Sequence, residues 1–359
     1  MHQVVYLFMV VKNDMHPILS EKSAMPNVRL TAILFSIFCF ALASRAHAEQ
    51  PPATPGATHV ARWKDDKKAA FMLMFDDSAP THVKYVFPEL KRRELIATFY
   101  INPGKGEWAA FKNAWEKELP AAGMEFGNHT MTHKGVHDVA DAEGEIGKCN
   151  DIITQLFPGK SPRLISYGQP GVPKGAWNIN DQQLKEILAK DHLIHRPNVD
   201  GRFAFIHLKT VDEMVRVMDG ALEKGVAECV LFHGVGGDWL TFPLAGFKEF
   251  LDKIVEKRDK LWITTHIQEH KYETERDSAT VSVLESTPAQ IRVELKCTAD
   301  PELYDAPLTL VTQVPATWTK CEITQGSAKT AVSAANGSIK YDALPDGRAI
   351  TIRAVVDGK

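Results

Sequence analysis

Two adjacent carboxylates, Asp76 and Asp77, close the apolar run FMLMFDD at residues 71–77. Side by side they repel, and burial raises the cost of each, so a buried strand ending on both needs something to neutralise them. Further along, GNHTMTH places His129 and His133 four apart, directly after another apolar stretch. On one helical turn the two imidazoles face the same way. Two imidazoles and one carboxylate, with a water in the fourth position, form a hydrolytic zinc arrangement. A divalent cation would then neutralise one aspartate, and the other, beside the activated water, would act as its general base. His137 lies four beyond His133 and competes as a ligand, but His129 is nearer the strand end, which favours the pair His129 and His133. Tyr167 (in SYGQP) and His233 (in FHGVGG) follow two further strand-like runs. A lone aspartate pair is usually a solvated turn and a lone histidine usually a satisfied core residue. Four such groups, each at a strand end, are what point to chemistry.

From about residue 67 to 272, short apolar runs alternate with helical patterns of 10–15 residues: AAFMLMF, VKYVFPELKRREL, IATFYIN, and so on to FKEFLDKIVEKRDK and LWITTH. That alternation predicts parallel βα units, and seven or so of them suit a distorted (β/α) barrel of seven or eight units better than an open sheet. The C-terminal ends of barrel strands are where such a fold gathers its active groups. After about residue 278 the pattern changes to short alternating segments, with Asn336-Gly337 and Asp346-Gly347 as hairpin signals. This predicts a small all-β sandwich over 278–359.

The run FMLMFDDS, ATFYIN, LPAAGMEFGNHTMTH and VLFHGV resembles the polysaccharide deacetylases of carbohydrate esterase family 4, the NodB-homology domain, over roughly residues 68–272. The resemblance implies removal of acetyl groups, usually from N-acetylated sugars, with a bound zinc or similar divalent metal. Carried onto this chain, it implies Asp76 as base, Asp77, His129 and His133 as metal ligands, and His233 as the acid that protonates the leaving group. It gives Tyr167 a part in holding the oxyanion through its backbone N–H. The family's third motif also supplies an arginine that orients the base, but here Leu164 occupies that place; Arg163 and Arg196 are the rival substitutes. The family's Asp-Trp motif has no match before His233; Asp238-Trp239 follows it instead.

The chain has 359 residues, 44% hydrophobic and 24% charged, with a net charge of −3. It has neither a basic surplus nor a long Lys/Arg run, which argues against a nucleic-acid partner. Arg29, an apolar core from Leu30 to Ala43 and Ala46-His47-Ala48 read as a secretory signal cleaved after Ala48, with Met25 as the expected true start and residues 49–66 as a Pro-rich, extended and mobile leader. The expected location is secreted or periplasmic, with no stable membrane span after cleavage. Export permits disulfides, and Cys297 with Cys321 is the candidate pair. Trp108, Trp177 and Trp239 are candidates for stacking on sugar rings. The expected partner is an acetylated polysaccharide or oligosaccharide. A non-sugar N-acyl or cyclic amide substrate, or a carbohydrate-binding protein with a degenerate site, stay open, as do metal identity and oligomeric state.

Overall fold

The structure is a computed structural model describing residues 54–159, 161–196 and 208–355; the expected signal and the leader's residues 49–53 lie outside these residues. Strand β1 (Thr58–Val60) precedes the barrel strands β2 (Ala69–Asp76), β3 (Thr98–Ile101), β4 (Glu125–Asn128), β5 (Ile165–Tyr167), β6 (Leu193–His195), β7 (Ala227–Phe232) and β8 (Leu261–Thr264). Helices α1 (Phe87–Arg92), α2 (Gly106–Ala110), α3 (Leu119–Ala121), α4 (Val139–Leu156), α5 (Asp181–Lys190), α6 (Val211–Lys224), α7 (Leu244–Glu256) and α8 (His266–Asp277) lie between and after them. The seven barrel strands form one parallel sheet in the order β6-β5-β4-β3-β2-β7, with β8 also paired to β2. Among the described residues no ladder joins β6 to β7, so this is the expected distorted barrel, left open by pairing.

Every residue of β2 is buried, as a parallel strand covered on both faces requires. Its alternation sorts two interiors. Phe71, Leu73 and Phe75 pack outward under the helices with Phe99, Phe126, Ile165, Tyr167, Val230 and Phe232. Met72 and Met74 face inward with Tyr100, Cys229 and Leu231. Side chains of opposite parity therefore meet inside the barrel, and Asp76 belongs to that inner set. The helices begin where the sequence caps them: Asp138 accepts from Asp141 N, and capping boxes join Asn180 to Gln183 and Thr210 to Glu213. Gly225, at φ 68°, ends α6 in the left-handed conformation that glycine tolerates best.

The C-terminal part is all-β, as expected: β9 (Thr280–Ser286), β10 (Ile291–Lys296), β11 (Leu308–Gln313), β12 (Lys320–Gln325), β13 (Ala328–Ser333), β14 (Ser338–Ala343) and β15 (Asp346–Ala354). They form a five-stranded antiparallel sheet, β13-β12-β15-β10-β9, and a three-stranded one, β1-β11-β14. The second sheet corrects the reading of the leader: residues 58–60 are extended but pinned, Thr58 opposite Thr312 and Val60 opposite Leu310. The expected Cys297–Cys321 bridge is also corrected, since all four described cysteines are free thiols. Strand β15 lies between β10 and β12, with Lys296 opposite Asp346 and Cys321 opposite Ala354. The two cysteines thus sit near opposite ends of that strand, roughly 26 Å apart at about 3.3 Å per residue, far beyond the reach of a disulfide. The tail's inward residues share a core with Trp63, Ala70 of β2 and Tyr272 of α8.

Candidate active site

Strand β2 delivers Asp76 and then breaks. Asp77 and Ser78 have φ of 79° and 52°, left-handed values that cost a non-glycine residue about 1 kcal/mol each and persist only where surroundings enforce them. The enforcement is visible: Ser78 Oγ accepts the Asn102 N–H at 2.9 Å, and Asn102 Nδ2 donates to the carbonyls of His129 (2.5 Å) and Thr130 (3.0 Å). The loops after β2, β3 and β4 are thereby tied into one unit. The segment carrying the two histidines is not a helical turn. Thr130 and His133 have φ of 64° and 61°, and Thr132 is anchored by its N–H and hydroxyl to Glu145 of α4. The imidazoles converge, as the four-residue spacing suggested, but through this irregular turn.

Asp77, His129 and His133 each offer a ligand atom within 4.8 Å of the others. His133 Nε2 is 3.1 Å and His129 Nε2 3.5 Å from Asp77 Oδ1. His129 Nδ1 donates to the Gly168 carbonyl at 2.6 Å; a carbonyl only accepts, so the proton is on Nδ1 and Nε2 presents a lone pair. That lone pair faces a carboxylate oxygen that is buried and accepts no hydrogen bond. Two acceptors facing each other with no proton between them fit a cation. Burial alone would raise the Asp77 carboxyl, but where His129 and His133 carry a proton toward it, in the place a cation would take, they outweigh burial and hold the group well below the usual carboxylate range. His137 is exposed and contributes its backbone N–H to Asp141, outside the cluster.

Asp76 sits beside this group, its Oδ2 3.8 Å from His129 Nε2. Arg196 is its partner: Nη1 donates to Oδ1 at 2.6 Å and Nη2 to Oδ2 at 2.9 Å, a bidentate pair with both residues buried. Burial would raise the Asp76 carboxyl; the Arg196 charge, helped by His129, reverses this and lowers it. Arg163 donates to the Phe157 carbonyl and lines a cavity at the other end of the barrel, so of the two candidates Arg196 takes the place. His233 Nε2 lies 4.0 Å from Asp76 Oδ2. Its carbonyl accepts the Nε2 proton of His82 at 2.6 Å. His82, which no sequence motif marks, is buried, and burial pushes it down to about 4, so it serves as a neutral donor.

Tyr167 is tied to Arg196 through its backbone carbonyl. Its ring lies on the outer face of β5 in the core, edge-on to His195, with its hydroxyl lacking a hydrogen-bond partner among the described residues. Its carbonyl accepts the Arg196 N–H at 2.8 Å. Of the tryptophans, Trp108 is buried and stacked on Trp115, and Trp177 packs against the core. Trp239 is 65% exposed and stands edge-on to His233 at 4.8 Å. Its loop is tightly held, with Asp238 accepting the Thr81 N–H and Gly234 N donating to the Trp239 carbonyl.

Residues 64–188 match the family described as polysaccharide deacetylase. A gellan lyase from Bacillus sp. is 25% identical over 311 residues, 76% of this chain, and the chain spans 12% of that protein's length. Among solved structures, a family 4 carbohydrate esterase from Streptomyces lividans in complex with acetate is 18% identical, covering 54% of this chain and 91% of its own, with a TM-score of 0.36. The peptidoglycan deacetylase PdaC from Bacillus subtilis is 19% identical over 56% of this chain and 90% of its own, at 0.39.

Proposed function

We propose, from the match of residues 64–188 to the polysaccharide deacetylase family and from the site's geometry, that this chain is an exported, metal-dependent hydrolase that removes acetyl groups from an acetylated polysaccharide or oligosaccharide, an N-acetylated sugar polymer foremost. The observation that carries the reading is the convergence of Asp77, His129 and His133 beside a second aspartate clamped by Arg196. Zinc is the proposed metal, on a donor set of two imidazoles and one carboxylate. A cation held by these three residues would supply Lewis-acid polarisation of the acetyl carbonyl and activation of water.

The chain's own residues do the rest. Asp76, kept ionised and oriented by Arg196, takes the proton of the attacking water. His233, 4.0 Å from Asp76 Oδ2, gives a proton to the departing amine or alkoxide. Its main chain is fixed by His82, so its ring is held by the end of β7 and by Trp239. Asp77 and the two histidines, with ligand atoms already within 4.8 Å of one another, need little rearrangement to bind a cation. Export rests on the order Arg29, Leu30–Ala43, Ala46-His47-Ala48, and mass spectrometry of the mature protein should find Glu49 as its first residue. Among the described residues no helix is long and apolar enough to cross a membrane.

The deciding experiment is acetate release by the zinc-loaded protein across N- and O-acetylated glycans, with Asp76→Asn as the blank. Release that vanishes in the variant supports the reading and selects the substrate class. Metal binding without release on any glycan would replace it with hydrolysis of a non-sugar amide.

A further inference from the structure

Arg196 reaches Asp76 from a strand 120 residues away, and its guanidinium is buried where water cannot steady it. Among the described residues its Nε–H has no acceptor, so its side-chain hydrogen bonds all lie at the Nη end, in the guanidinium plane, and none acts on its faces. Something must hold its faces. One face lies over the ring of Tyr100, 4.3 Å from guanidinium carbon to ring centroid, within cation–π range. Gly168 abuts both members of the pair: a Cβ there would fall 2.9 Å from Arg196 Cζ, 3.0 Å from its Nε and 3.0 Å from Tyr100 Cδ1. Tyr100 is itself seated by a glycine, since a Cβ on Gly127 would come within 2.5 Å of its ring. Neither glycine has a positive φ, so backbone freedom does not explain them; space does. Below the ring, Ser166 Oγ donates to the Tyr100 hydroxyl at 2.8 Å, and the hydroxyl faces Met74 Sδ at 3.7 Å. Ser166 in turn meets His266 Nδ1 at 2.7 Å. The hydroxyl thus anchors the ring to β5 and α8, while the ring face does the work at Arg196.

We propose that Tyr100 is a positioning residue for the base, its ring face aiming the Arg196 guanidinium at Asp76, and that Gly127 and Gly168 are glycines because a side chain at either would displace that stack. The activity readout rests on the deacetylase reading; the binding readout below does not.

The test uses the full chain with zinc. Tyr100→Leu is expected to lower kcat by about 10- to 100-fold, the usual cost of losing an outer partner of a catalytic group, with KM and zinc stoichiometry unchanged. Tyr100→Phe keeps the face and is expected to recover most of that loss. In Arg196→Ala, added ethylguanidinium should occupy the vacated stack, raising the melting temperature and restoring part of kcat. In the double variant Arg196→Ala/Tyr100→Leu it should do neither. If Tyr100→Leu does not fold, Gly168→Ala presses on the guanidinium and the ring together and should show the same fall in kcat. Wild-type kcat in Tyr100→Leu or Gly168→Ala, or equal ethylguanidinium stabilisation with and without the ring, would overturn the proposal. Should the wild type release no acetate at all, the deacetylase reading falls, and the melting-temperature comparison still decides whether Tyr100 holds the guanidinium.

Discussion

The two ends of the barrel each draw carboxylates in among packed side chains, and they treat them in opposite ways. At the C-terminal ends of the strands, Asp76 faces Arg196, and Asp77 faces two histidines; both are held below the usual carboxylate range. At the foot, Glu125 begins β4 and lines a cavity of about 580 Å³ between the barrel strands, α8 and the tail segment 305–307. Its donors are neutral: Thr98 Oγ1 at 3.0 Å, Thr265 Oγ1 at 2.6 Å and the Ile267 N–H at 3.1 Å, the last at the start of α8. Burial therefore dominates, and Glu125 is pushed up to about 7. The difference teaches that burial alone does not mark a reactive carboxylate. What separates the two ends is whether the groups converging on it carry charge or lone pairs of their own, which invite a cation or a proton, or only hydrogens already committed to it.

The largest effect expected at the upper end is from Asp77→Ala or His129→Ala: zinc content falls to background, and acetate release falls to the rate without enzyme. Retained zinc in either would separate that residue from the ligand set. Asp76→Asn comes next, with full zinc content and release lower by about 10²- to 10⁴-fold, the range of a lost general base. Glu125→Gln probes the lower end and should leave kcat unchanged while altering stability with pH. Between its ordinary value of 4.5 and about 7 the folded protein keeps a proton on Glu125 that the unfolded chain has released, so wild-type stability falls across that window and levels off above it. The variant lacks this slope, and its melting temperature should gain on wild type from pH 4.5 to 7.5. The gain corresponds to no more than about 3 kcal/mol at 1.36 kcal/mol per pH unit; a pH-independent difference would show that Glu125 is ionised like its counterparts above. The smallest effect is in the tail, where a reducing agent should leave the melting temperature where it is, since the four described thiols are unbridged.

The site was legible in the sequence where its chemistry is local. Asp76 with Asp77, and His129 with His133, each occupy a few residues at the end of an apolar run, so type and spacing sufficed. The barrel's repeating βα pattern was legible for the same reason. Arg196 could only be narrowed to one of two arginines, because its pairing depends on the register that sets Tyr167 opposite His195. Strand alternation, applied through β5, would have placed the Tyr167 ring outward in the core and Ser166 inward, and through β3 would have placed Tyr100 inward with Asp76. His82 sits in a short π-helical turn, His82–Val86, which no periodicity announces. The tail's strand order, with β15 inserted between β10, which Cys297 follows, and β12, which holds Cys321, is a property of long-range pairing that a list of short strands does not contain.

Strand β2 belongs to both cores at once. Ala70, near its start, is packed with Trp63, Tyr272 and the tail's inward residues, and Asp76, six residues on, is the end that meets Arg196. At about 3.3 Å per residue, a rigid beam of roughly 20 Å runs from the tail's seat to the reacting end. The C-terminal sheets are thus a foundation for the strand that carries the base. Cutting the chain where its pattern changes, near residue 278, would turn Trp63, Ala70 and Tyr272 from interior into surface and leave that beam standing on water.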